Sequence, residues 1–282
     1  MIDKLIKFYG YTIILIILLC PFLLLYYSIP LLKQASVFNI LFSAWNPDVN
    51  SYGLLNFIIT TLIMGILASL ISFILSFGVS CYIYITKSKA LKMTITFMTG
   101  IPTVVYSFIG LLFIVPFIRN NTPSPTGLSI LTVVIVLSIL ILPTIVLYIT
   151  ETFETVSKDI RESALALGFT EEQFLIKLLI PASYKGIVIA FILGFGRAIS
   201  DTMVALMLSG NSLNFPDSIF ASARNLTSHI ALTMPGEFDS IEFKSIFFSG
   251  LIFIIILFLL NTLIKRFEKW KYLVLSAFYL LF

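Results

Sequence analysis

Charge is scarce in this sequence. Of its 282 residues 11% are charged, against roughly 25% in soluble domains, too few to cover a water-facing globule. Cysteine is nearly absent: Cys20 and Cys81 both lie inside apolar runs, with no partner at metal-ligand spacing. That excludes a disulfide framework or a cysteine-based metal centre. There is a single histidine, His229, and a single carboxylate deep in an apolar segment, Asp201. An enzyme working within the membrane needs a nucleophile with a base, or a metal cluster, and this set supplies neither. The phosphate-binding pattern G-x-x-x-x-G-K-[ST] is missing, so ATP chemistry belongs elsewhere. No internal repeat of the kind that builds ion-coupled carriers is evident, and nothing suggests a nucleic-acid partner.

What is abundant is apolar: 59% of residues and a mean hydropathy of +1.06. A helix crosses about 30 Å of hydrocarbon with roughly 20 apolar residues. Six segments qualify, at about 11–32, 56–85, 94–117, 128–149, 187–209 and 246–264. The first follows Lys4 and Lys7, yet it exceeds the core of a secretory signal and lacks a small-x-small cleavage site, so it reads as an uncleaved span. The expected fold is all-α and polytopic, with the lipid bilayer as solvent. Placing both termini inside puts thirteen Lys and Arg residues on cytoplasmic segments and four (Lys33, Arg119, Arg224, Lys244) outside, a positive-inside bias. The apolar tail, Tyr272 to Phe282, is too short to span and is expected at the interface or against the bundle.

Two segments are large enough to meet soluble partners: 151–185 inside and 210–245 outside. In the first, KDIRESALAL from Lys158 to Leu167 favours a helix. Gly168 suits the left-handed residue that ends one. Thr170, with Gln173 three residues on, forms a capping box for a second helix, which Pro181 should stop. An ordinary amphipathic loop on the membrane surface would read much the same locally. The spacing Glu162-Ser163-Ala164, three residues, Gly168, nine residues, Leu178-x-Ile180-Pro181 resembles the E-A-A-x3-G-x9-I-x-L-P signature of ABC importer permeases. Ser163 replaces the first alanine, and two aliphatic residues are exchanged.

The fifth span contains Arg197, about ten residues in, or roughly 15 Å deep at 1.5 Å per residue. Asp201 follows at i+4 and is expected to pair with it. Intramembrane charges face a bundle interior or a water-filled cavity. The pair either fixes helix packing or serves an anion's route, since guanidinium offers a planar fork of donors to tetrahedral oxyanions. Gly194 and Gly196 are expected in close helix packing. G-R-A-I-S-D-T-M, with Gly210-Asn211 downstream, is similar to the G-R-A-x-G-E-T-M...G-N segment of phosphate ABC permeases. Gly100-Ile101-Pro102-Thr103-Val104-Val105-Tyr106-Ser107 looks like their I-P-S-[VI]-V-Y-G stretch. Pro102 frees a carbonyl, and Thr103, Tyr106 and Ser107 bring hydroxyls to membrane depth; a kink with packing hydroxyls is the plainer reading.

The resemblance, covering about 56–265, implies a phosphate importer permease of PstC rather than PstA type in a bacterial cytoplasmic membrane. It implies a substrate pathway at Arg197, Asp201, Thr202, Ser200, Thr103, Tyr106 and Ser107. ATPase coupling would fall to Glu162, Ser163, Ala164, Gly168 and Pro181. It divides the chain into an N-terminal span and outer loop (1–55), a permease domain (56–265) and a tail (266–282). Its implied partners are ABC ATPase subunits, which bind the ATP and magnesium, a second PstA-like permease, and an extracytoplasmic phosphate-binding protein; this chain needs no cofactor. Molybdate, sulfate or phosphonate importers share the architecture. In the outer segment, 218–232 suits a short amphipathic helix, and a lone His229 reads as structural.

Overall fold

The computed structural model describes residues 2–34, 36–49, 51–238 and 240–281, and their side chains except at 2–6, 34, 48, 159 and 267–281. It is helical apart from a two-stranded ribbon. In chain order the elements are α1 (Ile2–Gln34), α2 (Val37–Phe42), β1 (Trp45–Asn46), β2 (Ser51–Tyr52), α3 (Leu55–Thr86) and α4 (Lys89–Thr99). Next come α5 (Thr103–Ile109), a π-helical turn (Gly110–Ile114), α6 (Val115–Asn121) and α7 (Ile130–Ala166). α8 (Glu171–Phe174), a second π turn (Leu175–Leu179), α9 (Ile180–Ala182) and α10 (Tyr184–Ser200) follow. The chain ends with α11 (Met203–Leu208), α12 (Leu226–Thr233) and α13 (Ile241–Leu281).

Five helices are long and apolar enough to cross a membrane, and a sixth crossing results if the bent pair Glu171–Ala182 and Tyr184–Ser200 counts as one. α7 lies at the centre, with 67% of its most apolar stretch buried against 6% for α1. Apolar on every side yet exposed, α1 suits a lipid environment; it packs mainly on α13. Small residues let α3 and α10 close on α7. Ser76 donates to the Leu142 carbonyl at 3.1 Å and Ser80 to that of Val146 at 3.2 Å. A Cβ on Gly194 would fall 2.5 Å from Ile145 Cδ1, and one on Gly65 2.4 Å from Ile199 Cγ2. The expected packing role of Gly194 is thus met. Gly196 differs: a Cβ there would come no nearer than 3.9 Å to Leu260 Cδ1, and the residue lines a cavity.

Three expected boundaries change. The third span does not run unbroken from 94 to 117. α4 ends at Thr99, and the helix restarts at Thr103, because Pro102 disfavours helix in Ile101 and lacks the N–H a continuous helix would need. The fifth span stops at Ser200. Asp201 adopts extended backbone with ψ 116, and its Oδ1 accepts the Val204 N–H at 2.8 Å, capping α11. The second loop helix does not stop at Pro181. A π turn, closed by Ile180 N–H to the Leu175 carbonyl, shifts the register ahead of the proline. The path then continues to Ala182 before bending 69° into α10. The short helix expected at 218–232 forms over Leu226–Thr233, where Asn225 and Ser228 complete a capping box. As for the apolar tail, α13 continues to Leu281 as one helix; its expected packing lies outside the described side chains.

Candidate functional site

Two constructions stand out. The first is the hairpin between α7 and α10. α7 extends past its apolar stretch to Ala166, so the KDIRESALAL helix is the end of a 37-residue helix rather than a separate piece. Its last turn closes as a Schellman motif: Phe169 N–H reaches the Ala164 carbonyl at 3.2 Å and Gly168 N–H that of Leu165 at 3.0 Å. Gly168 has φ +83, a conformation that favours glycine. Thr170 and Gln173 form the expected capping box. Arg161 and Glu171 then join the two helices through a two-point ion pair, with Nε to Oε2 at 3.4 Å and Nη2 to Oε1 as the second contact. The Glu171 carboxylate holds the Arg161 guanidinium more firmly protonated than usual. Ala164 is buried, while Glu162, Ser163, Gly168 and Pro181 are exposed. Leu167, at the turn, and Ile176, in the helix that follows it, are 79% and 65% exposed.

The second construction surrounds Arg197, which lines two cavities. The wider, about 330 Å³, also meets Thr103, Ser200, Asp201 and Asn261. The narrower, about 160 Å³, is bounded by Thr99, Tyr106, Pro143 and Thr144. It lies where the α4–α5 break faces the Pro143 turn of α7. The expected Arg197–Asp201 pair does not form. Among the described residues the ion pairs are Lys92–Glu154 and Arg161–Glu171, and Arg197 makes no hydrogen bond. The reason is the helix break: Asp201 leaves the i+4 position and its carboxylate turns to cap α11. Tyr106 donates to the Met98 carbonyl at 3.0 Å. Ser107 is fully buried and donates back to the Thr103 carbonyl at 3.1 Å, and Thr202 lies on neither cavity.

At the end of the bundle away from the hairpin, His229 is fully buried and stacks on Phe57 at 4.3 Å. Its Nε2 lies 3.2 Å from Ser245 Oγ, and burial, with the charge of Arg224 nearby, pushes the imidazole down to about 3. Such a group is neutral at ordinary pH and packs as a core residue. No group of three or more His, Cys, Asp or Glu among the described residues could hold a metal.

Comparison with known proteins decides the family. The sequence model of "Binding-protein-dependent transport system inner membrane component" matches residues 77–271. The chain belongs to that family. It is therefore a multi-pass inner-membrane permease subunit of an importer rather than an enzyme; its family works with a binding protein and with an ATPase that binds the ATP. The permease is 36% identical over 230 residues to the probable ABC transporter permease protein YqgH of Bacillus subtilis, covering 78% of this chain and 74% of that one. It is 29% identical over 252 residues to the phosphate transport system permease protein PstC of Pasteurella multocida, covering 80% and 78%. In fold it is similar to a chain of the inward-facing MetNI methionine ABC transporter, with a TM-score of 0.60 at 15% identity, over 77% of this chain and 94% of the other.

Of the residues singled out by sequence, the permease brings Thr103, Tyr106, Arg197, Ser200 and Asp201 to the two cavities and leaves Ser107 and Thr202 aside. Asn261, Thr99 and Thr144 went unnoticed. Asn261 carried a signal, an amide inside an apolar run, whereas Thr144 carried none. The Arg161–Glu171 clamp was also missed, although once a hairpin is assumed the two residues fall opposite each other.

Proposed function

We propose that this permease is the PstC-type subunit of an ATP-driven phosphate importer. Its partners are a PstA-like second permease, ABC ATPase subunits and an extracytoplasmic phosphate-binding protein. The observation that carries the reading is the Arg197 guanidinium: exposed rather than packed away, lining two cavities, and in no ion pair or hydrogen bond among the described residues. An ionisable residue on a spanning helix that opens on a cavity is the kind of group that marks an ion's route, and its planar donors suit a tetrahedral oxyanion. Relatives named as phosphate transport system permeases support phosphate as that anion. Ser200, Asp201, Thr202, Thr103, Tyr106 and Ser107 form or frame the route.

The permease domain spans 56–265, with 1–55 as an appended first span and 266–282 as a tail. Both termini are cytoplasmic, a reading supported by the thirteen basic residues that this orientation gathers on one side. The hairpin then projects into the cytoplasm and couples to the ATPase. Glu162 and Ser163 form its face, Ala164 and Gly168 set its turn, and Pro181 follows the π turn that leads to α10. ATP-dependent uptake of labelled phosphate by the reconstituted complex, challenged with excess sulfate, molybdate and phosphonate, tests the assignment. The expected result is inhibition by unlabelled phosphate alone. Transport of a competitor instead of phosphate would overturn the substrate.

A further inference from the structure

The reading of Arg197 as the anion's contact does not say on which side of the guanidinium the anion rests, and the two cavities differ in ways that decide it. The wider one carries the Asp201 carboxylate, which repels an oxyanion at short range. The narrower one has no acidic residue in its lining. Its volume of about 160 Å³ matches roughly five waters at about 30 Å³ each, room for a tetrahedral anion that keeps a little of its hydration. It also sits where irregular backbone meets a cavity at depth, between the α4–α5 break and the Pro143 turn.

One hydroxyl in this lining is uncommitted. A threonine within a helix usually donates to the carbonyl four residues back. Thr152 and Thr155 of α7 do so, to Tyr148 at 2.8 Å and Glu151 at 2.9 Å. Thr144, on the same helix, makes no hydrogen bond among the described residues, although it is half-buried and lines the cavity with Arg197. Thr150 is also unpartnered, but it is fully buried and lines neither cavity. Thr99 donates to Thr96 at 2.7 Å and Tyr106 to Met98, so both are already engaged.

We propose that the oxyanion's resting site within the membrane is the narrower cavity, where the Thr144 hydroxyl donates to the anion beside the Arg197 guanidinium. The wider cavity, with Asp201, is where the anion passes on rather than where it is held. Thr144 is then a binding and selectivity residue. It favours anions that can accept a hydrogen bond from α7 while facing Arg197. This rests on the reading of Arg197 given above.

The test uses the complete reconstituted transporter, with its ATPase and binding protein, and initial rates of labelled phosphate uptake. Thr144→Val keeps the shape and removes the hydroxyl; it should lower uptake about tenfold, the effect of losing one hydrogen bond to a charged group. Thr144→Ser, which restores the donor, should stay within about twofold of the unmodified protein, whereas a packing role would leave Ser no better than Val. Asn261→Ala, in the wider cavity, should have the smaller effect. Uptake by Thr144→Val equal to the unmodified protein, failure of Thr144→Ser to rescue, or an equal or larger loss with Asn261→Ala would each overturn the proposal. Arg197→Ala is the separate check. Full uptake by that variant would sink the reading of Arg197 itself, whereas its loss alongside a normal Thr144→Val would sink only the resting site.

Discussion

In the hairpin at 158–182 the two helix ends that meet at the turn are closed within the hairpin itself. The end of α7 closes on Gly168, the start of α8 is boxed by Thr170 and Gln173, and Arg161 grips Glu171 across the turn. Around Arg197 the opposite holds: an exposed guanidinium meets two cavities without closing an ion pair, and the acid four residues on has been turned to cap α11. A segment that satisfies its own groups moves as a rigid body and passes on displacement. A segment that leaves a charge unanswered has affinity to spare for a visitor. On the proposed function, the hairpin transmits and the Arg197 region receives.

Substitutions in the hairpin should impair transmission and leave the receiving site intact, in graded steps. Gly168→Pro has the largest expected effect. Proline holds φ near −65° and cannot adopt the φ of +83 found there, so the hairpin should lose its turn. Co-purification with the ATPase and uptake should both fall to background while the membrane fold persists; normal co-purification would refute the coupling assignment. Gly168→Ala should be milder. No atom lies within 4 Å of the new Cβ, which leaves only the left-handed strain of roughly 1–2 kcal/mol, seen as a partial loss of ATPase stimulation. Glu171→Gln should have the smallest effect. The pair is partly exposed, with side chains 33% and 41% accessible, and such pairs contribute about 0–1 kcal/mol. Uptake should drop by no more than about threefold, and the difference should shrink as salt rises; a salt-independent collapse would mean that Glu171 has another role.

The same contrast explains what could be read from the chain alone. The hairpin was legible almost to the residue, because caps, capping boxes and left-handed glycines are local rules spanning three or four positions. Its π turn was not, since Pro181 looked like a stop until the register shift beginning at Leu175 let the helix pass. The placement of Arg197 on the fifth spanning helix was legible from span length. Its isolation was not, because Asp201 had two uses open to it, pairing at i+4 or capping a new helix, and tertiary packing around Asp201–Thr202 selected the second. Pro102 announced an interruption, but not that it would lie opposite Pro143, some forty residues away. Thr144 sits in the most apolar span of the chain and becomes visible only when α4, α5 and α10 close around it.

The most direct test of the account is phosphate moved per ATP hydrolysed by the Arg197→Ala transporter, reconstituted with its ATPase and binding protein. If the hairpin transmits and Arg197 receives, uptake falls by about a hundredfold or more, as expected when a charged contact worth roughly 2–5 kcal/mol is lost. Assembly and binding-protein-stimulated hydrolysis persist, leaving an ATPase that turns over without cargo. Unchanged uptake per ATP would contradict the account, and so would a variant that loses hydrolysis and uptake together.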